Sequence, residues 1–148
     1  MTSTVLFLCT GNYYRSRFAE ELFNHKAAAN GLGWQAQSRA LAIERGVYNI
    51  GPLSPFALHA LQVRGCSPTG AGRMPRQCAA DDFESAQRII ALNEPEHRPL
   101  VRERFPQWEQ RMQFWRVKDV EFVRPEVALA AIEQHVDGLL GALLGRAE

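Results

Sequence analysis

Several features that mark common functional classes are scarce or missing in this 148-residue chain. Its 17 Lys and Arg residues balance 16 Asp and Glu residues, so it lacks the basic excess that is typical of nucleic-acid-binding proteins. No apolar run approaches the roughly 20 residues needed to span a membrane, and no positively charged segment of a secretory signal precedes the first apolar residues. We therefore expect a cytoplasmic protein that binds neither nucleic acid nor membrane.

Cysteine and histidine are also scarce, and they do not cluster. Three cysteines are an odd number and too few for a disulfide scaffold. No CxxC pair is present, and the four histidines are scattered without the spacing of metal ligands. We expect reduced thiols, no bound metal and no cofactor.

The remaining composition, 46% hydrophobic and 22% charged, is typical of one globular domain. Short apolar runs that suit buried strands alternate with apolar residues at helical spacing. Strands are predicted at residues 5–8, 33–38, 88–92 and 113–117, and helices at about 16–30, at about 54–64 and from Pro125 onward. This alternation predicts a single domain over residues 1–148 with an α/β fold, in three α/β/α layers around a short, four-stranded parallel sheet.

Two local features accompany this fold prediction. Ser16 is predicted to cap the N-terminus of the first helix, because serine is favoured at that position. Basic and acidic residues alternate over residues 98–111, which predicts a solvated surface.

The chemistry-bearing segment is residues 9–16, CTGNYYRS, between the first strand and the first helix. Gly11 and Asn12 tolerate positive φ, so successive amides can turn inward at a helix N-terminus and bind an anion. Arg15 offers a planar donor fork for phosphate. Cys9, beside these positive groups, is expected to be ionised at neutral pH. The pattern favours phosphate-ester hydrolysis through a cysteinyl-phosphate; the alternative is a buried strand-end thiol and a solvated arginine.

VLFLCTGNYYRSRFAE resembles the phosphate-binding loop of the low-molecular-weight protein tyrosine phosphatases, whose pattern is Cys-x-Gly-Asn-x-x-Arg-Ser. The resemblance implies that Cys9 is the nucleophile, that Arg15 clamps the phosphate and that Asp119 is the general acid and then the general base. It implies hydrolysis of a phosphotyrosine-containing protein or a small aryl phosphate by a monomer or weak dimer. The phosphate-binding residues would be Thr10, Gly11, Asn12, Tyr13, Tyr14, Arg15 and Ser16.

The chain departs from the family pattern after Asp119, where the family usually has proline and tyrosines. Here Val120, Glu121 and Phe122 follow, which makes Glu121 the rival acid. The walls of an aryl-sized pocket are predicted to be Tyr13, Tyr48 and Phe122.

Three further positions carry expectations. Tyr14 stands where the family often has a second cysteine, so a protective disulfide with Cys9 is excluded. Arg17 replaces a usual proline and is expected to add a cation beside the pocket. Arg64, Arg73 and Arg76 are predicted near the pocket mouth.

Two other functions remain open from the sequence. A thiol-dependent arsenate reductase resembles this family, but its thioredoxin-coupled form needs two cysteines after the third strand, and residues 93–106 contain none. A phosphate- or phosphopeptide-binding module that has lost its acid loop is the second alternative.

Overall fold

The computed structural model describes residues 2–147, and its centre is one parallel sheet with the strand order β2-β1-β3-β4. The strands are β1 Ser3–Cys9, β2 Trp34–Ala40, β3 Arg88–Ala91 and β4 Met112–Phe114. The α-helices of this part of the chain are α1 Arg15–Ala29, α2 Pro55–Val63, α3 Ala80–Ser85, α4 Glu94–Arg104 and α5 Pro125–Ala147. The predicted α/β fold with four parallel strands is confirmed.

Strand β1 lies in the middle of the sheet and is buried on both faces. Val5 and Phe7 pack into the core cluster formed with α1, α2 and α5. Leu6 and Leu8 pack into a second cluster with α3 and α4. A parallel strand covered on both faces has no polar side, which explains the continuous apolar run at this point of the sequence.

Helices α3 and α4 were not predicted from the sequence. Helix α4 contains Pro95 and Pro99, and it buries only His97, Leu100 and Val101, so its apolar stripe is too short for a clear helical period. The predicted solvated surface over residues 98–111 is therefore the end of a helix followed by a 3-10 helix at Pro106–Arg111.

The predicted capping role of Ser16 is wrong. Helix α1 begins at Arg15, its N-cap position is Tyr14, and no side chain caps it. The Ser16 hydroxyl instead contacts Cys9 and Asn12, each at 2.9 Å. Ser16 is therefore engaged by the loop that precedes the helix.

Helix α5 begins at Pro125, as predicted, and is the longest helix of the described residues. Residues 125–145 have the length and composition of a membrane span, with a mean hydropathy of 1.4 in the most apolar window. The core helices of soluble proteins meet the same criterion. Here Leu129, Ile132 and Val136 are buried, and the helix contacts α1 and α2.

Candidate active site

Asn12 organises the loop between β1 and α1. Its φ of 53° lies in the left-handed region, which asparagine tolerates better than most residues, and this agrees with the expectation from the sequence. Its side-chain amide donates to the hydroxyls of Ser16 and Ser38, each at 2.9 Å. Its side-chain carbonyl oxygen accepts hydrogen bonds from the Arg73 guanidinium at 3.3 Å and from the backbone N–H of Arg76 at 3.1 Å. These four hydrogen bonds fix the loop to α1, to β2 and to the segment that contains Arg73 and Arg76.

The backbone amides of the loop are free to bind a ligand. Within the described residues 2–147, the N–H groups of residues 11–16 donate to no backbone carbonyl. They surround the first turn of α1, where unpaired amides carry partial positive charge. The loop is therefore a ready site for an anion.

Cys9 lies at the base of this loop and is 3% exposed. Its Sγ atom is 2.9 Å from Ser16 Oγ. Because Ser16 Oγ already accepts a hydrogen bond from the Asn12 amide, its own proton is free to donate to sulfur. The geometry therefore allows a hydrogen bond from the Ser16 hydroxyl to the Cys9 sulfur.

Arg15 is held so that only part of its guanidinium remains available. Nη1 donates to Glu96 Oε1 at 2.9 Å and to the Val117 carbonyl at 2.8 Å, while Nη2 donates to Glu96 Oε2 at 2.7 Å. A guanidinium has five N–H donors. The other two, on Nε and Nη2, make no hydrogen bond within residues 2–147, and together they form a fork.

Glu96 joins Arg15 to a group of hydrogen-bonded polar side chains, Thr10 and His97. The backbone N–H of Asn93 donates to His97 Nδ1 at 2.9 Å, so the neutral ring carries its proton on Nε2, 3.2 Å from Thr10 Oγ1. The Thr10 hydroxyl donates in turn to Glu96. Sequence analysis missed Glu96, although its position after the carboxyl end of a parallel strand is where functional residues of such folds gather.

The electrostatics of this group keep Arg15 and Glu96 charged. Burial opposes the charge of Glu96, but hydrogen bonds from His97 and Arg15 lower its pKa well below the usual range. Burial also opposes the charge of Arg15, yet the Glu96 hydrogen bond and the Cys9, Glu96 and Asp119 charges raise its pKa. Burial lowers the pKa of His97, so this ring is neutral at physiological pH.

We expect Glu96→Gln to weaken both activity and stability. Glutamine keeps one acceptor but turns an amide toward Arg15, so the guanidinium loses its two-point support. The free energy of unfolding at pH 7 should fall by about 2 kcal/mol, less than for a fully buried pair, since Glu96 is 26% exposed. The pKa of Glu96 is lowered in the folded protein, so the ionic part of this difference should be full above pH 4.5 and shrink as the pH falls.

Urea unfolding at pH 7 and pH 3.5 measures this difference. The matched control is Glu94→Gln in the same helix, whose partners Arg98 and Arg116 lie at the surface, and it should lower stability much less than Glu96→Gln does. Equal effects of the two variants on stability and on phosphatase activity would contradict the role of Glu96.

Cys9, Arg15 and Asp119 line one cavity of about 330 Å³. Asp119 Oδ2 is 3.6 Å from Arg15 Nη2, and Oδ1 accepts from the backbone N–H of Val120 at 2.8 Å. Glu121 lines the same cavity. The aromatic residues around it are Tyr13, Tyr14, Tyr48 and Phe56.

Phe122 differs from its predicted place. Its side chain is 72% exposed and lines a neighbouring cleft together with Glu96 and Asp119, whereas the main cavity is bounded on that side by Val120 and Glu121. Phe56 was missed by the sequence analysis; it is the second residue of α2, and its only signal is a position directly after Pro55.

Arg17 does not add a cation to the pocket, so that expectation is wrong. Its side chain is fully buried and donates to the carbonyls of Pro52 at 2.7 Å and Gly70 at 2.8 Å. Arg73 also lies behind the loop, where it contacts Asn12, Ser38 and Glu20. Both arginines join surrounding segments to the loop between β1 and α1.

The side chains of this site do not form a metal centre: within residues 2–147, no three His, Cys, Asp or Glu residues are grouped to hold a metal ion. Residues 4–124 match the family model described as low molecular weight phosphotyrosine protein phosphatase. The chain belongs to this family. Its members are cysteine-dependent enzymes, and this chain is accordingly a phosphatase of the low-molecular-weight type.

Solved structures of the same type cover almost all of the chain. YfkJ from Bacillus subtilis superposes with a TM-score of 0.83 at 23% identity, over 100% of this chain and 98% of its own. A low molecular weight protein tyrosine phosphatase from T. tengcongensis gives a TM-score of 0.76 at 26% identity, over 98% and 99%. The YwlE arginine phosphatase from Geobacillus stearothermophilus gives 0.76 at 23% identity, over 97% and 94%. No curated protein matches the chain by sequence.

Proposed function

We propose that this phosphatase hydrolyses aryl phosphate esters, with phosphotyrosine in proteins as the substrate class, through a cysteinyl-phosphate on Cys9. The observation that carries the proposal is the meeting of three elements in one cavity. These are the Cys9 sulfur, the free amides of residues 11–16 and the open Nε–Nη2 fork of Arg15. A thiolate inside an anion cradle is suited to attack phosphorus and poorly suited to any binding role alone.

In the first step, the Cys9 thiolate attacks phosphorus and the bond between phosphorus and the phenolic oxygen breaks. The Arg15 fork and the loop amides bind the three equatorial oxygens, where charge accumulates. Asp119 in its protonated form donates a proton to the departing phenolate. The products are the free phenol and a phosphorylated Cys9.

In the second step, a water molecule attacks the cysteinyl-phosphate. Asp119, now a carboxylate, accepts a proton from this water, and the sulfur–phosphorus bond breaks. Orthophosphate leaves and the Cys9 thiolate is restored. One carboxyl group thus serves as acid and then as base.

The preference for aryl esters is supported by the walls above Cys9. Tyr13 lines the cavity and donates its hydroxyl proton to the Ile50 carbonyl, which holds the ring in place. Tyr48 and Phe56 line the same cavity and are 93% and 54% exposed. Because Cys9 is buried, a substrate reaches it through this cavity, and aromatic lining residues suit a flat ring.

The arsenate reductase alternative requires a second reactive thiol, and the structure argues against one. Cys66 and Cys78 are both buried. Burial raises the pKa of both thiols, that of Cys78 to about 12, and a protonated buried thiol is a poor nucleophile. Cys78 also lies in the core cluster on the opposite face of the sheet from Cys9.

Asp119→Asn should lower kcat for p-nitrophenyl phosphate by about 100-fold, since proton transfer by a positioned acid contributes at least that factor. Glu121→Gln, the matched control in the same loop, should leave kcat nearly unchanged. Rates are measured with EDTA present, so that contaminating metal-dependent activity is excluded. A loss with Glu121→Gln alone would transfer the acid role to Glu121. Absence of turnover in the wild type, with inorganic phosphate still bound, would favour the binding-module alternative.

Substrate class is tested with matched peptides carrying phosphotyrosine, phosphoserine or phosphoarginine, the last because a similar structure is an arginine phosphatase. We expect efficient phosphate release from the phosphotyrosine peptide only. Faster release from either of the others would contradict the aryl preference while leaving the phosphatase chemistry intact.

A further inference from the structure

Tyr14 is a buried residue of the active-site loop whose hydroxyl group has no established role. It directly precedes Arg15, is 7% exposed and belongs to the same core cluster as Cys9 and Val117. Its Oη atom is inaccessible to solvent and makes no hydrogen bond within the described part of the chain. A buried hydroxyl without a partner is costly, and such groups in native proteins call for an explanation.

Asp119 is a charged acceptor that lines the same cavity as Tyr14. The charged groups that act on its hydroxyl are Asp119, Arg15 and Glu126, and burial together with Asp119 raises the pKa of Tyr14 to about 12. The phenol is therefore a permanent donor. Glu126 is exposed, pairs with Arg124 at 3.6 Å and is absent from the cavity lining, whereas Tyr14 and Asp119 line the same cavity.

The contacts of Asp119 change when a phosphoryl group binds to Arg15. In this structure Oδ2 of Asp119 lies 3.6 Å from Arg15 Nη2. Nη2 already donates one proton to Glu96, so it has a single N–H left for both Asp119 and a phosphoryl oxygen. A phosphoryl group on the Nε–Nη2 fork takes that donor, and the Asp119 oxygen then needs another.

We propose that Tyr14 is a positioning residue whose hydroxyl donates a hydrogen bond to the Asp119 carboxyl group while phosphate occupies the Arg15 fork. This contact fixes the plane of the carboxyl group and aims its protonated oxygen at the leaving group. It also compensates for the missing proline after Asp119, since a bond from the rigid loop replaces stiffness within the acid loop itself. The proposal rests on the proposed role of Asp119 as the general acid.

Tyr14→Phe removes only the hydroxyl and retains the packing of the ring. We expect kcat to fall about fivefold to tenfold, the usual effect of losing one hydrogen bond of this kind, with little change in KM or in inhibition by inorganic phosphate. The loss should be larger for phenyl phosphate than for p-nitrophenyl phosphate, because the more basic phenolate depends more on the acid. The melting temperature should not decrease, since the hydroxyl is unpaired in this structure.

A double-mutant cycle with Asp119→Asn isolates the contact. Tyr14→Phe should cause no further loss in the Asp119→Asn background. Tyr13→Phe is the matched control, because its hydroxyl bonds to the Ile50 carbonyl; any effect it has should be the same in both backgrounds and for both leaving groups.

Three results would overturn the proposal. The first is an unchanged kcat in Tyr14→Phe, and the second is an equal loss of kcat on adding Tyr14→Phe to the wild type and to Asp119→Asn. The third is a weakening of phosphate inhibition as large as the loss in kcat, which would mean that the hydroxyl bonds to the phosphate rather than to Asp119. Failure of the underlying function is distinguishable, since Asp119→Asn would then have no effect with either leaving group. If Asp119→Asn shows the expected loss of kcat and any of these three results is also obtained, only the proposed role of Tyr14 is rejected.

Discussion

Cys9→Ser should reduce hydrolysis of p-nitrophenyl phosphate by at least about 10⁴-fold, the scale seen when a catalytic nucleophile is removed. A serine hydroxyl at this position is not ionised and has no neighbouring base to activate it, because Ser16 Oγ can only donate to it. Binding of inorganic phosphate should persist, since the loop amides and Arg15 are unchanged. Steady-state kinetics with EDTA and calorimetric titration with phosphate measure the two effects separately.

The other two cysteines are the controls for this result. Cys66→Ser and Cys78→Ser remove buried thiols outside the cavity and should lower stability more than activity. If Cys9→Ser retained a substantial fraction of the wild-type rate, the cysteinyl-phosphate mechanism would have to be abandoned. A loss of activity in the Cys66 or Cys78 variant with stability intact would revive the thiol relay of a reductase.

Arg15→Lys should lower kcat/KM by about 10³-fold, at the upper end of the effect of deleting one donor to a developing oxyanion. Lysine keeps the charge but not the planar fork. Arg15 donates hydrogen bonds to Glu96 and to the Val117 carbonyl and keeps two donors for the cavity. A single ammonium group cannot donate in these three directions. The inhibition constant for inorganic phosphate should rise as well, which separates this variant from Asp119→Asn.

Arg45→Lys is the control for charge at the same cavity. Arg45 is an exposed residue of the cavity lining, so exchanging its guanidinium for an ammonium should change kcat/KM only slightly. If Arg15→Lys behaved like Arg45→Lys, the fork would not be the phosphate-binding element and charge alone would account for binding.

Local order along the chain was sufficient to predict the strand–loop–helix segment that brings Cys9 and Arg15 to one cavity. Cys9, Asn12 and Arg15 lie within seven consecutive residues between an apolar strand and a helix, and backbone geometry alone brings them together. The left-handed conformation of Asn12 follows from the same local pattern. The placement of β1 in the centre of the sheet also follows locally, because residues 5–8 have no polar side to expose to solvent.

Residues far apart in the sequence could not be placed in this way. Glu96 is 81 positions from Arg15, and Ser38 is 26 positions from Asn12, so neither contact leaves a spacing that can be recognised. Arg17 was misplaced for a related reason. Its side chain is long enough to leave the helix surface, and the carbonyls of Pro52 and Gly70 that bind it come from segments with no periodic pattern.

The sequence by itself determined the fold class, the four strands and helices α1, α2 and α5, because each depends on neighbours along the chain. It also predicted the loop between β1 and α1 as the phosphate site for the same reason. Only the tertiary structure decided which groups support that loop and how many donors Arg15 keeps for a substrate. It also decided that the buried Tyr14 hydroxyl makes no hydrogen bond within the described residues. Hydrogen bonds of buried polar groups are satisfied by whatever the packed elements bring within about 3 Å, and that proximity is created by folding.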